Sequence, residues 1–249
     1  MRGRRGLNGR WRRNLAYIDE RFSVIPLGCS CQTNQQINDG AAAIAKSLGA
    51  TDHRTFSSYF DWLISPSQSI VKLVGDGLPI PETEDDILWH RGRPEFAGYG
   101  ALFYHEFITG PSVYTPSPEG LEKLKGKFAH TKALLQKVVT EREPIFIWSN
   151  TQNNLIRTQA ECDGLDLILT PEIVERIIAA GDKLAGRNAR YVFVTYPDRC
   201  QPEALVHPRA SFHMLKQDSS VWQGDSEQWA IIWQTLGDQV AQSVDQAAI

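Results

Sequence analysis

Features that would assign this chain to several familiar classes are missing from its sequence. No apolar run approaches the roughly 20 residues that a membrane-spanning helix needs. The glycine-rich patterns that hold nucleotide phosphates, Gly-x-x-x-x-Gly-Lys-Ser/Thr and Gly-x-Gly-x-x-Gly, are both absent. No group of His, Cys and carboxylate residues has the spacing of a metal site. We therefore expect no membrane segment, no metal and no cofactor.

Cysteine is scarce, with four residues in a chain of 249. A chain of this length does not need disulfide bonds to hold its fold, and Cys29 and Cys31 are too close for a typical disulfide. The Cys-x-Cys pair also lacks a second pair at the spacing of zinc ligands. Reduced thiols in a cytoplasmic protein are the simplest interpretation.

A strong charge of one sign is also lacking, since the formal net charge is −3 with 26 basic and 29 acidic residues. The body of the chain therefore has no bulk electrostatic reason to bind nucleic acid or an anionic surface. Arginines nevertheless crowd the start: Arg2, Arg4, Arg5, Arg10, Arg12 and Arg13. No apolar stretch of a secretory signal follows them. We expect a basic, disordered leader over residues 1–20, with contact to RNA or phospholipid as the alternative.

The remaining residues, 21–249, contain no linker and are predicted to form one domain in which strands alternate with helices. Continuous apolar runs, typical of strands buried on both faces, occur at Phe22–Leu27, Ile145–Trp148 and Tyr191–Tyr196. Shorter strands are expected within 87–90, 99–107 and 211–215, and helices at 32–48, 65–75, 121–139, 171–184 and 226–244. This alternation predicts an α/β fold, a three-layer sandwich with a mainly parallel central sheet.

Polar residues follow each of the three buried strands directly. They are Gly28 to Cys31 after the first strand, Ser149 to Thr151 after the second, and Pro197 to Arg199 after the third. Ligands of open α/β sheets bind at the carboxyl ends of the strands. The sequence therefore predicts a functional site at this edge.

Cys31 is the candidate nucleophile at this edge. It is predicted to stand at the start of a helix, where free N–H groups and the positive end of the dipole favour a thiolate and lower the thiol pKa. The N–H groups from Gly28 to Gln32 are placed to hold an oxyanion. The alternative is that Cys29 and Cys31 are small buried hydrophobic residues, which is the commoner role of a free cysteine.

A cysteine nucleophile needs a base, and usually an acid or amide that orients the base. Among six histidines, His105 is the best candidate because it ends a predicted strand and precedes Glu106, and His213 is an alternative. Asp61 stands between Phe60 and Trp62, and a carboxylate in an apolar segment requires partners. We expect Asp61 either to orient a histidine or to cap the helix that follows Ser65.

The run from Pro26 to Cys31, with Gln35-Gln36-Ile37 and Phe60-Asp61-Trp62-Leu63-Ile64, resembles a bacterial domain family of unknown function described as papain-like cysteine peptidases. An aromatic strand ending in His and an apolar strand ending in Asn extend the likeness to Phe103–Phe107 and Phe146–Asn150. It covers residues 24–154, with a weaker match at 222–225.

This resemblance implies a nucleophile at Cys31, a base at His105, and Asp61 or Asn150 as the residue that orients the base. The chain departs from the family at Pro26, where serine is usual, and at Cys29, which has no clear counterpart. Papain-like folds also place the cysteine helix before an antiparallel sheet, whereas the strand pattern here predicts a parallel one.

The leading hypothesis is a cysteine-dependent hydrolase or acyl transferase that acts on a peptide, amide or glycan substrate. Cys31 attacks a carbonyl, His105 accepts the thiol proton, and Asp61 or Asn150 orients the imidazole. Gly28, Ser30, Trp62 and Tyr196 are the predicted oxyanion-binding or substrate-binding residues. The alternatives are a non-catalytic module that binds a glycan or nucleotide, and an SGNH-like esterase acting on a polysaccharide with Ser30 as nucleophile.

Overall fold

The computed structural model of the protein describes residues 16–90, 92–110, 113–152, 167–217 and 224–246. The strands are β1 (Ala16–Asp19), β2 (Phe22–Pro26), β3 (His53–Phe56), β4 (Leu63–Ile64), β5 (Ile87–His90), β6 (Arg93–Phe96), β7 (Ala101–Phe103), β8 (Ile108–Gly110), β9 (Val113–Tyr114), β10 (Glu143–Ser149), β11 (Arg190–Thr195) and β12 (Ala210–Met214). The helices are α1 (Cys31–Asp39), α2 (Ala41–Leu48), α3 (Ser67–Gly75), α4 (Pro118–Glu141), α5 (Pro171–Ala185) and α6 (Ser226–Gln246). Within these ranges, no helix is both long enough and apolar enough to cross a membrane.

The main sheet has six strands in the order β12-β11-β10-β2-β1-β3. Strands β12, β11, β10 and β2 run parallel to one another, and β1 is antiparallel to both of its neighbours. The three continuous apolar runs form β2, β10 and β11, which are adjacent in the middle of the sheet. The fold is therefore mixed α/β with a mainly parallel sheet, as predicted.

Both faces of the main sheet carry apolar side chains, because successive residues of a strand point to opposite sides. On β10, Ile145 and Ile147 pack into a core shared with α1, α2 and α6. Phe146 and Trp148 pack into a larger core shared with α3, α4 and α5. Burial on both faces explains why this strand has no polar alternation in its sequence.

A second, antiparallel sheet in the order β4-β7-β6-β5 lies between α2 and α4 in the chain. Its pairing of β4 with β7 sets Leu63 opposite Phe103 and Ile64 opposite Leu102. Continued past the strand ends, that antiparallel register brings the segment of Asp61 and Trp62 towards the segment of His105. The second sheet therefore brings two distant parts of the chain to one place.

Three local predictions are wrong. The single helix expected over 32–48 is two helices separated at Gly40, where a Cβ would lie 2.2 Å from the Trp233 ring of α6. The helix expected over 65–75 begins at Ser67 instead and has no side-chain cap. Residues 16–19 are strand β1 rather than part of the expected leader, since β1 pairs on both sides. Residues 1–15 of that leader and residues 222–223 of the weak match at 222–225 lie outside the described residues.

Candidate functional site

The turn from β2 into α1 is held on two sides by backbone hydrogen bonds. The N–H of Cys29 donates to the carbonyl of Ser149 at 2.9 Å, and its carbonyl accepts from the N–H of Ser65 at 2.9 Å. At Gly28 a Cβ would lie 1.9 Å from Oγ1 of Thr33, so only glycine fits this close approach. The turn is therefore fixed between β10 and the segment that leads into α3.

Cys31 is the first residue of α1, as predicted, and Ser30 is the N-cap residue whose Oγ accepts the N–H of Gln32 at 3.3 Å. The Cys31 side chain is only 7% exposed. Burial raises the pKa of the Cys31 thiol to about 12, although its own backbone N–H lowers that pKa, and the Asp61 carboxylate raises it further. The expectation of a lowered pKa is wrong, because the cost of desolvating a thiolate here exceeds the benefit of the helix start.

Asp61 is completely buried, and its Oδ2 accepts the backbone N–H of Ser58 at 2.7 Å. It therefore caps its own turn and not the helix after Ser65. Burial raises the pKa of Asp61 well above its ordinary value, against smaller lowering effects from the Ser58 N–H, Lys127 and Asn34. The Asn34 side chain lowers this pKa by hydrogen bonding, although the distances and angles leave Oδ1 of Asp61 without a hydrogen-bond partner among the described residues.

His105 follows β7 and meets Trp62 edge to face, with ring centroids 5.9 Å apart. Burial and the positive charge of Lys127 lower the pKa of His105, and Glu106 raises it. The imidazole is therefore neutral at neutral pH. Its Nε2 is buried and has no hydrogen-bond partner within the described part of the chain.

Lys127 on α4 links the two carboxyl-bearing segments, and sequence reasoning missed it. Its Nζ forms an ion pair with Glu106 and lies 3.7 Å from the centre of the Trp62 ring. Its charge lowers the pKa of both Asp61 and His105. No sequence signal separates it from the other lysines of this charged helix.

Charge effects relate several of the predicted residues in pairs. Asp61 shifts the pKa of Cys31, and Lys127 shifts those of Asp61 and His105. Asp61 and Lys127 connect these effects, and the residues involved are here called the Cys31 cluster: Cys31, Asp61, Trp62, His105, Glu106 and Lys127. His105 is not among the groups that shift the pKa of Cys31. The described residues contain no group of three His, Cys, Asp or Glu side chains able to hold a metal ion.

Asn150 and Tyr196 lie in a different polar group. The amide nitrogen of Asn150 donates to the carbonyls of Leu167 at 2.6 Å and Arg199 at 3.0 Å, which uses both of its N–H groups. Tyr196 is buried, and the Arg199 guanidinium lies 5.1 Å from the centre of its ring. Both residues therefore pack around Arg199.

The expected oxyanion donors are only partly available. The N–H of Cys29 bonds to Ser149 and the N–H of Gln32 bonds to Ser30, so the prediction is wrong for these two groups. The N–H groups of Ser30 and Cys31 are left as candidate donors at the start of α1. An oxyanion held there would share the helix N-terminus with the Cys31 sulfur.

Comparison of the chain with protein-family models, with curated proteins and with solved structures returned no match. The resemblance to papain-like cysteine peptidases rests on the quoted motifs alone. The residues of the Cys31 cluster are therefore the remaining indication of function.

Proposed function

We propose that the Cys31 cluster is the active site of a cysteine-dependent hydrolase or acyl transferase. The supporting observation is a thiol at the start of a helix beside a fully buried carboxyl group. Asp61 Oδ1, Trp62 Nε1 and His105 Nε2 are buried without hydrogen-bond partners among the described residues. Buried polar atoms are nearly always paired, so unpaired atoms on the neighbouring Asp61 and Trp62, and on the His105 ring that meets Trp62, favour a site that receives a ligand or water.

We also propose that the fold is a three-layer sandwich, with helices on both faces of the main sheet. Helices α1, α2 and α6 share apolar contacts with one face of the main sheet, and α3, α4 and α5 with the other. This division favours a three-layer sandwich.

The raised pKa of Cys31 determines how the reaction would start. The thiol is protonated at rest, so the neutral imidazole of His105 accepts the proton as sulfur bonds to the carbonyl carbon. The carbonyl electron pair moves to oxygen and then re-forms the double bond as the leaving group departs with the proton from His105. Water or a second acceptor then removes the acyl group from Cys31.

Asp61 would act in its protonated form. An ionised carboxyl group beside Cys31 raises the thiol pKa and opposes formation of the thiolate. A neutral carboxylic acid kept protonated by burial can instead donate a hydrogen bond to a developing oxyanion. The N–H groups of Ser30 and Cys31 would complete that site.

An activated ester and a thiol reagent test the nucleophile together. With p-nitrophenyl acetate we expect acetylation of Cys31, detected by peptide mass spectrometry. His105→Ala should slow acetylation of Cys31 by about 10²- to 10⁴-fold, the usual range for removal of a general base.

Iodoacetamide should modify Cys200 before Cys31 at pH 8. Burial raises the pKa of both thiols, that of Cys31 to about 12, but Cys200 is partly exposed whereas Cys31 is buried.

Cys200→Ser is the matched control, since it removes a thiol outside the cluster and should leave acetylation of Cys31 unchanged. If p-nitrophenyl acetate leaves Cys31 unmodified while the protein is folded, the acyl-transfer proposal is wrong.

A non-catalytic binding module is the second candidate, and the burial of Cys31 favours it. In that case Cys31→Ser should retain ligand binding, and no acyl-enzyme should form. The esterase alternative is weakened because Ser30 Oγ already caps α1. Ser30→Ala compared with Cys31→Ala would separate the two nucleophiles.

A further inference from the structure

Arg199 is a buried arginine at the carboxyl ends of the central parallel strands. It ends a short 3₁₀ turn, Pro197–Arg199, that follows β11, and it is only 3% exposed. Its Nη1 donates to the carbonyls of Asn150 and, at 3.0 Å, of Gln152, the two residues that flank Thr151 beyond β10. Its own carbonyl accepts the N–H of Leu169 at 2.9 Å. These contacts fix the guanidinium against the ends of β10 and β11.

One edge of that guanidinium makes no hydrogen bond to the described residues. Nε and Nη2 are both buried, and neither has a hydrogen-bond partner among the described residues. No carboxylate of the described residues forms an ion pair with Arg199. Removing a charge from water is costly unless it is paired, so a buried guanidinium with unsatisfied donors needs an anionic partner.

The unused atoms have the geometry for a particular kind of partner. Nε–H and Nη2–H lie on the same side of the planar guanidinium and point in parallel, which matches two oxygens of a carboxylate or a phosphate. The Oδ1 atom of Asn150 is likewise buried without a partner among the described residues.

The surroundings keep the guanidinium charged. Burial lowers the pKa of Arg199, and the nearby Asp198 raises it, but arginine stays protonated in proteins because its ordinary value is so high. The guanidinium of Arg199 is stacked on the buried Tyr196, and Asp198 between the two is exposed. Arg199 therefore lies close to the surface at the carboxyl end of β11, and open α/β sheets bind their ligands at this edge.

We infer that Arg199 binds the anionic group of a small-molecule ligand, a carboxylate or a phosphate, through its Nε and Nη2 edge. The inference does not depend on the chemistry proposed at Cys31. It goes beyond that chemistry by giving the ligand a negative charge. Because both nitrogens are shielded, the side chains that cover them must move when the anion enters.

The arginine Nε–H resonances of the full-length, ¹⁵N-labelled protein test this inference directly. The protein is titrated with sodium acetate in one arm and sodium phosphate in another, against sodium chloride at matched ionic strength. We expect the Arg199 resonance to shift saturably in one oxyanion arm and to stay unchanged in chloride. Saturation with acetate identifies a carboxylate site, and saturation with phosphate identifies a phosphate site.

Two variants assign and control the signal. Arg199→Lys keeps the charge but lacks the two-nitrogen edge, and should weaken binding by about tenfold or more. Arg176→Gln removes an arginine that is half exposed and pairs with Glu172, and should leave binding unchanged. If Arg199→Lys does not fold, Arg199→Gln takes its place and should remove both the Arg199 resonance and the saturable shift. Absence of a saturable shift at every arginine Nε–H in both oxyanion arms overturns the inference.

Discussion

Gly237→Ala is expected to destabilise the protein by about 3 kcal/mol, whereas Gly126→Ala should stabilise it by about 0.5–1 kcal/mol. At Gly237 of α6 a Cβ would lie 2.0 Å from the backbone carbonyl oxygen of Ser47 on α2. Backbone cannot rotate away as a side chain can, so the two helices would have to separate. At Gly126, on the exposed face of α4, no atom lies within 4 Å of the added Cβ.

The contact between α2 and α6 also depends on hydrogen bonds that need this short distance. The N–H of Gly237 donates to Ser47 Oγ at 2.8 Å, and that hydroxyl donates to the Gln234 carbonyl at 3.1 Å. Separating the helices breaks both. Urea denaturation of the two variants beside the wild type measures the difference, since the substitution is chemically the same in each. Equal midpoints for the two variants would show that the helices do not pack this closely.

The central strands were predictable because their signal is local. Continuous apolar runs identify β2, β10 and β11, and Thr170 and Gly186 mark the two ends of α5 through its N-cap hydrogen bond and its left-handed C-cap. Strand β1 was missed because it is four residues long and follows an arginine-rich stretch without a turn signal. The break at Gly40 was missed because its cause, the Trp233 ring, is distant in sequence.

The candidate site was predictable to a similar extent. A polar turn after an apolar strand placed Cys31 at a helix start, and the apolar neighbours of Asp61 indicated a buried carboxyl group. The direction of the Cys31 pKa shift was not predictable, because it depends on how completely tertiary packing excludes water. Burial of Arg199 was hidden for a related reason, since arginine is usually exposed and its sequence neighbours are polar.

Asp61→Asn should stabilise the protein at neutral pH. The folded-state pKa of Asp61 is raised, so its favourable contribution is complete below about pH 4 and is lost as pH rises towards the folded pKa. Each pKa unit by which folding raises the Asp61 pKa lowers the free energy of unfolding by about 1.4 kcal/mol at pH values above the folded pKa. Asparagine does not titrate, and its oxygen can still accept the Ser58 N–H. Asp61→Ala instead leaves that N–H unpaired, at a cost of about 1–3 kcal/mol.

At pH 7 we therefore expect denaturation to show Asp61→Asn as the most stable protein, the wild type next and Asp61→Ala as the least stable. Near pH 4 the free energies of unfolding of Asp61→Asn and the wild type should converge. A wild-type protein that gains stability as pH rises from 4 to 7, relative to Asp61→Asn, would mean that Asp61 is ionised and paired in the folded state.

Asp61→Asn also distinguishes two roles for Asp61 in acyl transfer. If Asp61 is a neutral donor to the oxyanion, the asparagine amide replaces that donor, and acetylation of Cys31 should stay within about tenfold of wild type. Asp61→Ala removes the donor and should slow acetylation by about 10²- to 10³-fold. A carboxylate that orients the His105 imidazole predicts the opposite for Asp61→Asn, a loss of about 10⁴-fold, because an amide stabilises the wrong tautomer. The burial of Asp61 and its charge effect on Cys31 favour the first result.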